Sequence, residues 1–395
     1  MQKRDFNGKR LKDARLFRGL TLTKLAEKTG ISKQSLSLYE NGKNSPDYVK
    51  ARVLASTLGF PNEFLLQQDP WDTSTEVTYF RSLSSATKMS RISLSTKLEY
   101  VAKMYQTLLT YIEFPEPNLP EISFDGSDDD LDEAEVNDTQ RQIEEIAQQV
   151  RTFWNIGDGP IDNLQLLLEK NGIIVTGFSC NDERIDAFSQ RTTLNKDDLY
   201  LIAVVVGRKP EVRIRFDMAH ELGHILLHPW SESLELITKQ EFRSRETQAN
   251  MFASSFLLPK RSFSDDVMAY PTDLDYYVHL KKKWKVSVQA MAYRSHQLGL
   301  ITGNQFQYMM RQISKKGWRK KEPGDSPYYL NDNVFQSAID LLIEEGVLSP
   351  EGILRMFEKQ GIAMARRDIE DILNLREGTL FFETSPAKVV RLRRP

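Results

Sequence analysis

Apolar positions recur at helical spacing near the start of the chain. Leu11, Ala14, Phe17 and Leu20 lie three residues apart and predict one apolar helix face. Thr21 opens a second short helix through Leu22, Leu25 and Ala26; Gly30 breaks it and Ile31 turns inward. Ser32 is placed to cap a third helix, Lys33–Glu40, which Asn41-Gly42 ends. Beyond Pro46, the positions Val49, Val53, Leu54 and Leu58 predict one more amphipathic segment. Residues 1–66 therefore read as an all-α domain in which a short helix, a glycine turn and a second helix follow the helix-turn-helix layout.

Residues 67–136 read as a helical linker with an acidic hinge. The stretch 67–75 has linker composition, Ile92, Leu94, Leu98, Val101, Met104 and Leu108 give helical periodicity over 90–113, and Pro115, Pro117 and Pro120 break it. The run Asp125–Glu135 reads as a solvated loop in preference to an autoinhibitory mimic of DNA. From residue 137 to 300 the pattern changes to α+β. Helices Gln140–Trp154 and Ile161–Asn171 precede strands Ile173–Phe178, Ile185–Phe188 and Tyr200–Val206, and a helix Val212–Leu227 follows. Residues 301–395 form a helical C-terminal region, with amphipathic segments Val334–Gly346, Pro350–Gln360 and Ile362–Leu375 and no assigned role. No internal repeat is present at a solenoid period.

Composition narrows the class. With 395 residues, 40% hydrophobic and 27% charged, the chain is expected to be a soluble multidomain protein. No apolar run approaches the roughly 18–20 residues of a membrane span, so no membrane partner is expected. The opening Met1-Gln2-Lys3-Arg4-Asp5 leads into charged sequence rather than a signal-peptide core, and a single cysteine, Cys180, excludes an intrachain disulfide. Both point to the cytoplasm, with Cys180 a bystander. The net charge of −2 hides an asymmetry: residues 1–52 hold thirteen Lys/Arg against five Asp/Glu. A basic head on a near-neutral chain favours double-stranded DNA as the partner of that end, over a protein-binding or homodimerising module. A second basic cluster, Lys315 to Lys321 around Trp318, reads as a solvated loop.

The run Thr21-Leu-Thr-Lys-Leu-Ala-Glu-Lys-Thr-Gly-Ile-Ser-Lys-Gln-Ser-Leu-Ser-Leu-Tyr-Glu-Asn-Gly-Lys-Asn-Ser-Pro46 resembles the phage-repressor (XRE-type) helix-turn-helix over about 55 residues. By that resemblance Lys33, Gln34, Ser35 and Ser37 face the major groove, and Lys43 lies near phosphate. Gln34 has the donor–acceptor pair that reads adenine, and Lys33 reaches guanine or phosphate. Arg15 and Glu40 sit where the family often places an internal salt bridge. The sequence departs from the family at Leu22, where a phosphate-contacting Gln is common.

The densest chemistry is His220-Glu221-Leu222-Gly223-His224. Two imidazoles four residues apart share a helix face, with a carboxylate beside the first, which is the H-E-x-x-H offer of two nitrogen ligands and a general base. Three of five histidines, His220, His224 and His228, fall within nine residues. His228 lies about 12 Å of helix rise from His220 and is too far to share an ion with bonds of roughly 2 Å. It reads as a helix-end residue favoured by the helix dipole. On the next predicted helix Glu246 is able to complete a His2Glu site and Asn250, one turn on, to orient a ligand imidazole. An oxyanion donor is also needed; Tyr276, His279, Tyr293, Arg294 and His296 are all open candidates.

The two segments together are similar to the ImmA/IrrE family of metallopeptidases. The H-E-L-G-H helix is followed by Glu246-Thr-Gln-Ala-Asn250-Met-Phe252-Ala253-Ser-Ser-Phe-Leu257-Leu258-Pro259, and the resemblance covers about residues 140–300. It implies a minimal, thermolysin-like zincin fold with Zn2+ held by His220, His224 and Glu246 and Glu221 as general base. It also implies a peptidase that cleaves a repressor or antitoxin-like protein in a stress or mobile-element response, fused to a DNA-binding domain. Mn2+ or Fe2+ would suit the same ligands. The competing expectations are a transcription factor whose peptidase-like domain senses a ligand or metal without cleaving, and a toxin–antitoxin component acting on a host protein.

Overall fold

The computed structural model describes residues 6–80, 87–124, 133–178, 185–207, 209–230, 237–328, 330 and 333–381. Residues Asp125–Asp132 and Cys180 lie outside them. The N-terminal domain is four helices, α1 (Gly8–Phe17), α2 (Leu22–Thr29), α3 (Lys33–Glu40) and α4 (Tyr48–Leu58), closed by a 3-10 turn at Asn62–Leu66. Its ends are set by side chains. Thr21 accepts from Lys24 N, Ser32 from Ser35 N and Asp47 from Lys50 N, and Gly30 adopts φ 70° where α2 must stop. Leu11, Ala14, Phe17, Leu25, Leu36 and Leu54 fill the centre.

The strand β1 (Thr73–Phe80) and the long helix α5 (Lys88–Leu108) follow, then α6 (Glu133–Phe153) and α7 (Leu164–Lys170). Three more strands come next: β2 (Ile173–Phe178), β3 (Ala187–Leu194) and β4 (Asp197–Val205). The sheet order is β1-β3-β4-β2, with β2 parallel to β4 and β3 antiparallel to both β4 and β1. Asn195 and Lys196, both at positive φ (50° and 84°), turn the β3–β4 hairpin in the sense that suits strand twist. Then come α8 (Glu211–Leu227), α9 (Lys239–Leu257), α10 (Lys260–Val267), α11 (Leu274–Trp284), α12 (Val288–Gln297) and α13 (Gly303–Lys315). The described chain ends with α14 (Val334–Glu344), α15 (Pro350–Lys359) and α16 (Arg366–Ile372).

Two strands differ from the sequence expectation. The segment 67–75 reads as linker, yet β1 begins at Thr73, because its opening Thr73-Ser74-Thr75 pairs at a sheet edge and carries no apolar residue to announce a strand. The strand expected at Ile185–Phe188 runs instead from Ala187 to Leu194. Its Ser189, Gln190 and Thr192 are fully buried and hydrogen-bonded, so polarity there marks an internal network and not a loop.

The sheet divides two hydrophobic cores. Ile202 and Val204 of β4 face α6, α7, α8 and α9; Leu201, Ala203 and Val205 face the other way. That second face shares one core with α5, α14–α16 and the helix-turn-helix domain. Packing therefore crosses the expected boundaries after residues 66, 136 and 300. Polar contacts fix the same junction. Arg18 pairs with Asp368 through two 2.6 Å bonds, Gln67 donates to Glu358 O at 2.9 Å, and Trp71 donates to Gln360 O at 3.0 Å.

Glu169 on α7 is buried and accepts from Val334 N and Gln165 Nε2, each at 3.3 Å; burial raises its carboxyl to about 7. A folded pKa above the ordinary 4.5 favours the folded state with the proton on. That stability is present below pH 4.5 and lost as pH rises through about 7. Glu169→Gln keeps the accepting carbonyl and has no proton to lose. It is expected to match wild type near pH 4.5 and to exceed it by up to about 3 kcal/mol above pH 7, read by urea unfolding at both values.

Candidate metal centre and nucleic-acid interface

Helix α8 carries His220, Glu221 and His224, and α9 carries Glu246 and Asn250. The two helices approach unusually closely: a Cβ on Gly223 would lie 3.2 Å from Ala249 Cα and 3.3 Å from its carbonyl oxygen. Small residues at that crossing bring Glu246, one turn before Asn250, against the histidine pair. The Nε2 atoms of His220 and His224 are 3.0 Å apart. Glu246 Oε2 is 3.5 Å from His220 Nε2, and its Oε1 is 3.3 Å from His224 Nε2. Ligands about 2.05 Å from a tetrahedral ion are separated by roughly 3.3 Å, so the three spacings fit one metal ion. All three donors lie within 4.8 Å of one another.

Protons are placed so that these nitrogens have lone pairs to give. Asn250 Nδ2 donates to Glu246 O at 2.7 Å, which fixes the amide orientation and turns Oδ1 to His220 Nδ1 at 3.1 Å. An amide oxygen only accepts, so Nδ1 is the donor and the neutral ring has its lone pair on Nε2. For His224 the partner is His228, with the two Nδ1 atoms 2.9 Å apart. His228 Nε2 lies 3.0 Å from Gln248 Oε1, the Gln248 Nε2 being turned to Ser244 Oγ at 3.2 Å. Burial first, then the neighbouring His224, holds His228 well below the usual histidine range. A neutral His228 that donates through Nε2 accepts through Nδ1, which leaves His224 Nε2 unprotonated. Without a cation, two facing lone pairs and a carboxylate repel. Burial pushes the Glu246 carboxyl up, and the adjacent His220 and His224 outweigh it and hold the carboxyl at about 2.

Glu221 is fully buried, and Ser189 Oγ of β3 donates to its Oε2 at 2.7 Å. A cleft of about 750 Å3 borders the His220 side, lined by Asp217, Arg213, Asn250, Tyr293 and His296 among others. Of the five oxyanion candidates, Tyr293 and His296 line this cleft. Arg294 is fully buried and committed to Leu258 O and Glu144, and Tyr276 donates to Asp266 O. His279 stacks beside Tyr276, with ring centroids 6.4 Å apart.

At the other end, Lys33, Gln34 and Lys43 project into solvent on and just after α3. Ser35 and Ser37 are half-buried; the Ser35 hydroxyl pairs with Ser32 Oγ at 2.9 Å, and Ser37 Oγ lies 3.4 Å from Asn41 Nδ2. Arg15 and Glu40 form the expected bridge, at 2.6 and 2.8 Å, which ties α1 to the end of α3. A Cβ on Gly8 would meet Tyr39 O at 2.0 Å, so glycine is required where α1 starts against α3.

Comparison with protein families matches residues 169–296 to the IrrE N-terminal-like domain of peptidase M78, and residues 8–69 to a helix-turn-helix domain. The chain thus contains an IrrE N-terminal-like domain preceded by a helix-turn-helix domain. No curated protein matches it. The matched IrrE-like segment contains His220, Glu221, His224, Glu246 and Asn250, and three of the four strands.

Sequence reasoning did not find Ser189, Gln248 or the role of His228. Ser189 is brought to Glu221 only by strand register, which no local pattern encodes. His228 does carry a signal, the i+4 spacing from His224. Helix α8 ends at Leu227, and His228 is extended (φ −116°, ψ 144°), so its ring meets His224 from the helix end. It is a neutral partner of His224 and not a dipole-stabilised cation. Replacing His228 with Ala is expected to weaken metal binding by the IrrE-like domain about 10- to 100-fold without unfolding it. Competition with a chromophoric zinc chelator, alongside circular dichroism, would read this.

Proposed function

We propose that this chain is a DNA-binding transcriptional regulator whose IrrE-like domain is a zinc-dependent endopeptidase. Its substrate would be a repressor or antitoxin-like protein cut in a stress or mobile-element response. The observation that carries the reading is the meeting of His220 Nε2, His224 Nε2 and the Glu246 carboxylate at tetrahedral spacing beside Glu221. Those three side chains would hold Zn2+, which would lower the pKa of a bound water toward about 7 and polarise a scissile carbonyl. Asn250 and His228 aim the two imidazoles. Glu221 is the group that takes the water proton and returns it to the leaving amine, with Ser189 steadying one of its oxygens. Double-stranded DNA would be read by α3, with Gln34 contacting a base, Lys33 a base or phosphate, and Lys43 just after the helix a phosphate.

A second reading has one observation in its favour. His220, Glu221 and His224 are all fully buried, as in a site that holds a metal without turning over. This reading makes the IrrE-like domain a ligand or metal sensor.

Bound metal per chain, measured by elemental analysis, tests the first step. About one equivalent of zinc is expected in wild type and near none in His220→Ala and Glu246→Ala; a wild type that cannot be loaded with zinc sinks the peptidase reading. Glu221→Gln should retain zinc and lose cleavage by at least about 100-fold. A regulator whose DNA response to its effector is untouched by Glu221→Gln is the sensor instead. In the DNA-binding half, Gln34→Ala is expected to lower affinity for a site selected from random duplexes about 10-fold and to relax base preference at one position.

A further inference from the structure

The IrrE-like match spans residues 169–296 and includes β2, β3 and β4, whereas β1 comes from residues 73–80, just after the helix-turn-helix match ends at residue 69. This outside strand covers the edge of β3. The same β3 carries Ser189, whose hydroxyl touches Glu221 at 2.7 Å. In the register, Tyr79 lies opposite Ser189 and Phe80 opposite Phe188. Paired antiparallel residues stand about 4.5–5.5 Å apart at Cα, so the β1 backbone runs immediately beside the strand residue that meets the general base. Extended peptides dock on proteins by adding a strand to a sheet edge. The β3 edge lies next to Glu221, and β1 already holds it.

Among the described side chains of β1 the hold is polar and partly exposed. Thr73, Ser74, Thr75 and Thr78, the described side chains of β1, are none of them buried. Thr75 Oγ1 donates to Glu99 Oε1 at 2.8 Å, and Thr78 Oγ1 to Gln190 Oε1 at 2.9 Å. Between Thr75 and Thr78 the register slips, two residues of β1 standing opposite one of β3, which interrupts the ladder. By contrast β4, with Leu199, Leu201, Ile202, Ala203, Val204 and Val205, is locked into both cores.

We propose that β1 occupies, within the same chain, the docking edge for the peptidase substrate. An extended segment of the substrate protein adds to β3 antiparallel, in the place of β1, and β1 must leave first. The resting chain is thereby held inactive by its own strand, and the substrate is recognised as an unfolded, strand-forming segment. This rests on the peptidase reading of the site.

The test uses the full chain, stripped of metal so that cleavage plays no part, and a fluorescein-labelled peptide of residues 71–80 read by anisotropy. Ser74 pairs with Thr193, and paired Cα atoms lie within disulfide range. In the triple variant Ser74→Cys, Thr193→Cys, Cys180→Ser, oxidation should weaken peptide binding at least about 10-fold, with recovery on reduction. Equal binding in both redox states overturns the proposal and places the peptide on the outer edge of β1 or elsewhere. If the reduced form binds too weakly to read, Thr78→Pro decides. Saturable binding there supports an opened β3 edge, and no binding in a variant with wild-type circular dichroism overturns it. Zinc content and Glu221-dependent cleavage are scored on the same proteins. Their loss with peptide docking intact removes the peptidase reading alone, and their presence without docking removes this proposal alone.

Discussion

Where α8 crosses α9, a methyl group at Gly223 would already press on the Ala249 backbone and on the ring of Phe252. The rest of the centre depends on that contact. Interaxial distance between packed helices follows the size of the side chains at the crossing, and glycine against alanine keeps it short here. Only at that distance does Glu246 reach both histidine Nε2 atoms, and only then does Asn250 sit beside His220. Two residues with almost no side chain thus set the positions of the donors with the strongest chemistry.

Geometry alone would not make a ligand set, because an imidazole offers a lone pair on one nitrogen and a proton on the other. Here the choice is made outside the donors, by an amide whose orientation is fixed by Glu246 O and by a histidine that burial keeps neutral. The chain Gln248–His228–His224 passes a donor–acceptor sense across three side chains, so that the final lone pair points inward. Such relays cost nothing in reorganisation when a cation arrives, since the tautomers are already those it needs.

Helical features were legible in the sequence to the extent that they are local. The caps at Thr21 and Ser32, the Arg15–Glu40 pair and the spacing His220–His224–Glu246 depend on residues within a few turns or on one recurring motif. What could not be read is set by pairing over long distances. β1 opens on Thr73, Ser74 and Thr75, which carry no apolar stripe, and it lies at the edge of the sheet. The polar half of β3 is buried against Thr78, Ser95 and Glu221, partners scattered over more than a hundred residues. The periodicity of α14 and α15 was plain, but not that they would line the same core as a DNA-binding domain at the other end of the chain.

That shared lining has a consequence for how the molecule can be handled and inherited. Alternate residues of β4 belong to different cores, so the sheet is a party wall and not an outer surface. A fragment cut to residues 137–300 would turn Leu199, Leu201, Ala203 and Val205 toward water as a continuous oily stripe. Such a fragment would aggregate even with every metal-centre side chain in place. Gene fusions that exchange the N-terminal module would have to carry α5 and α14–α16 with it, since the seam between the two halves runs through the middle of a core.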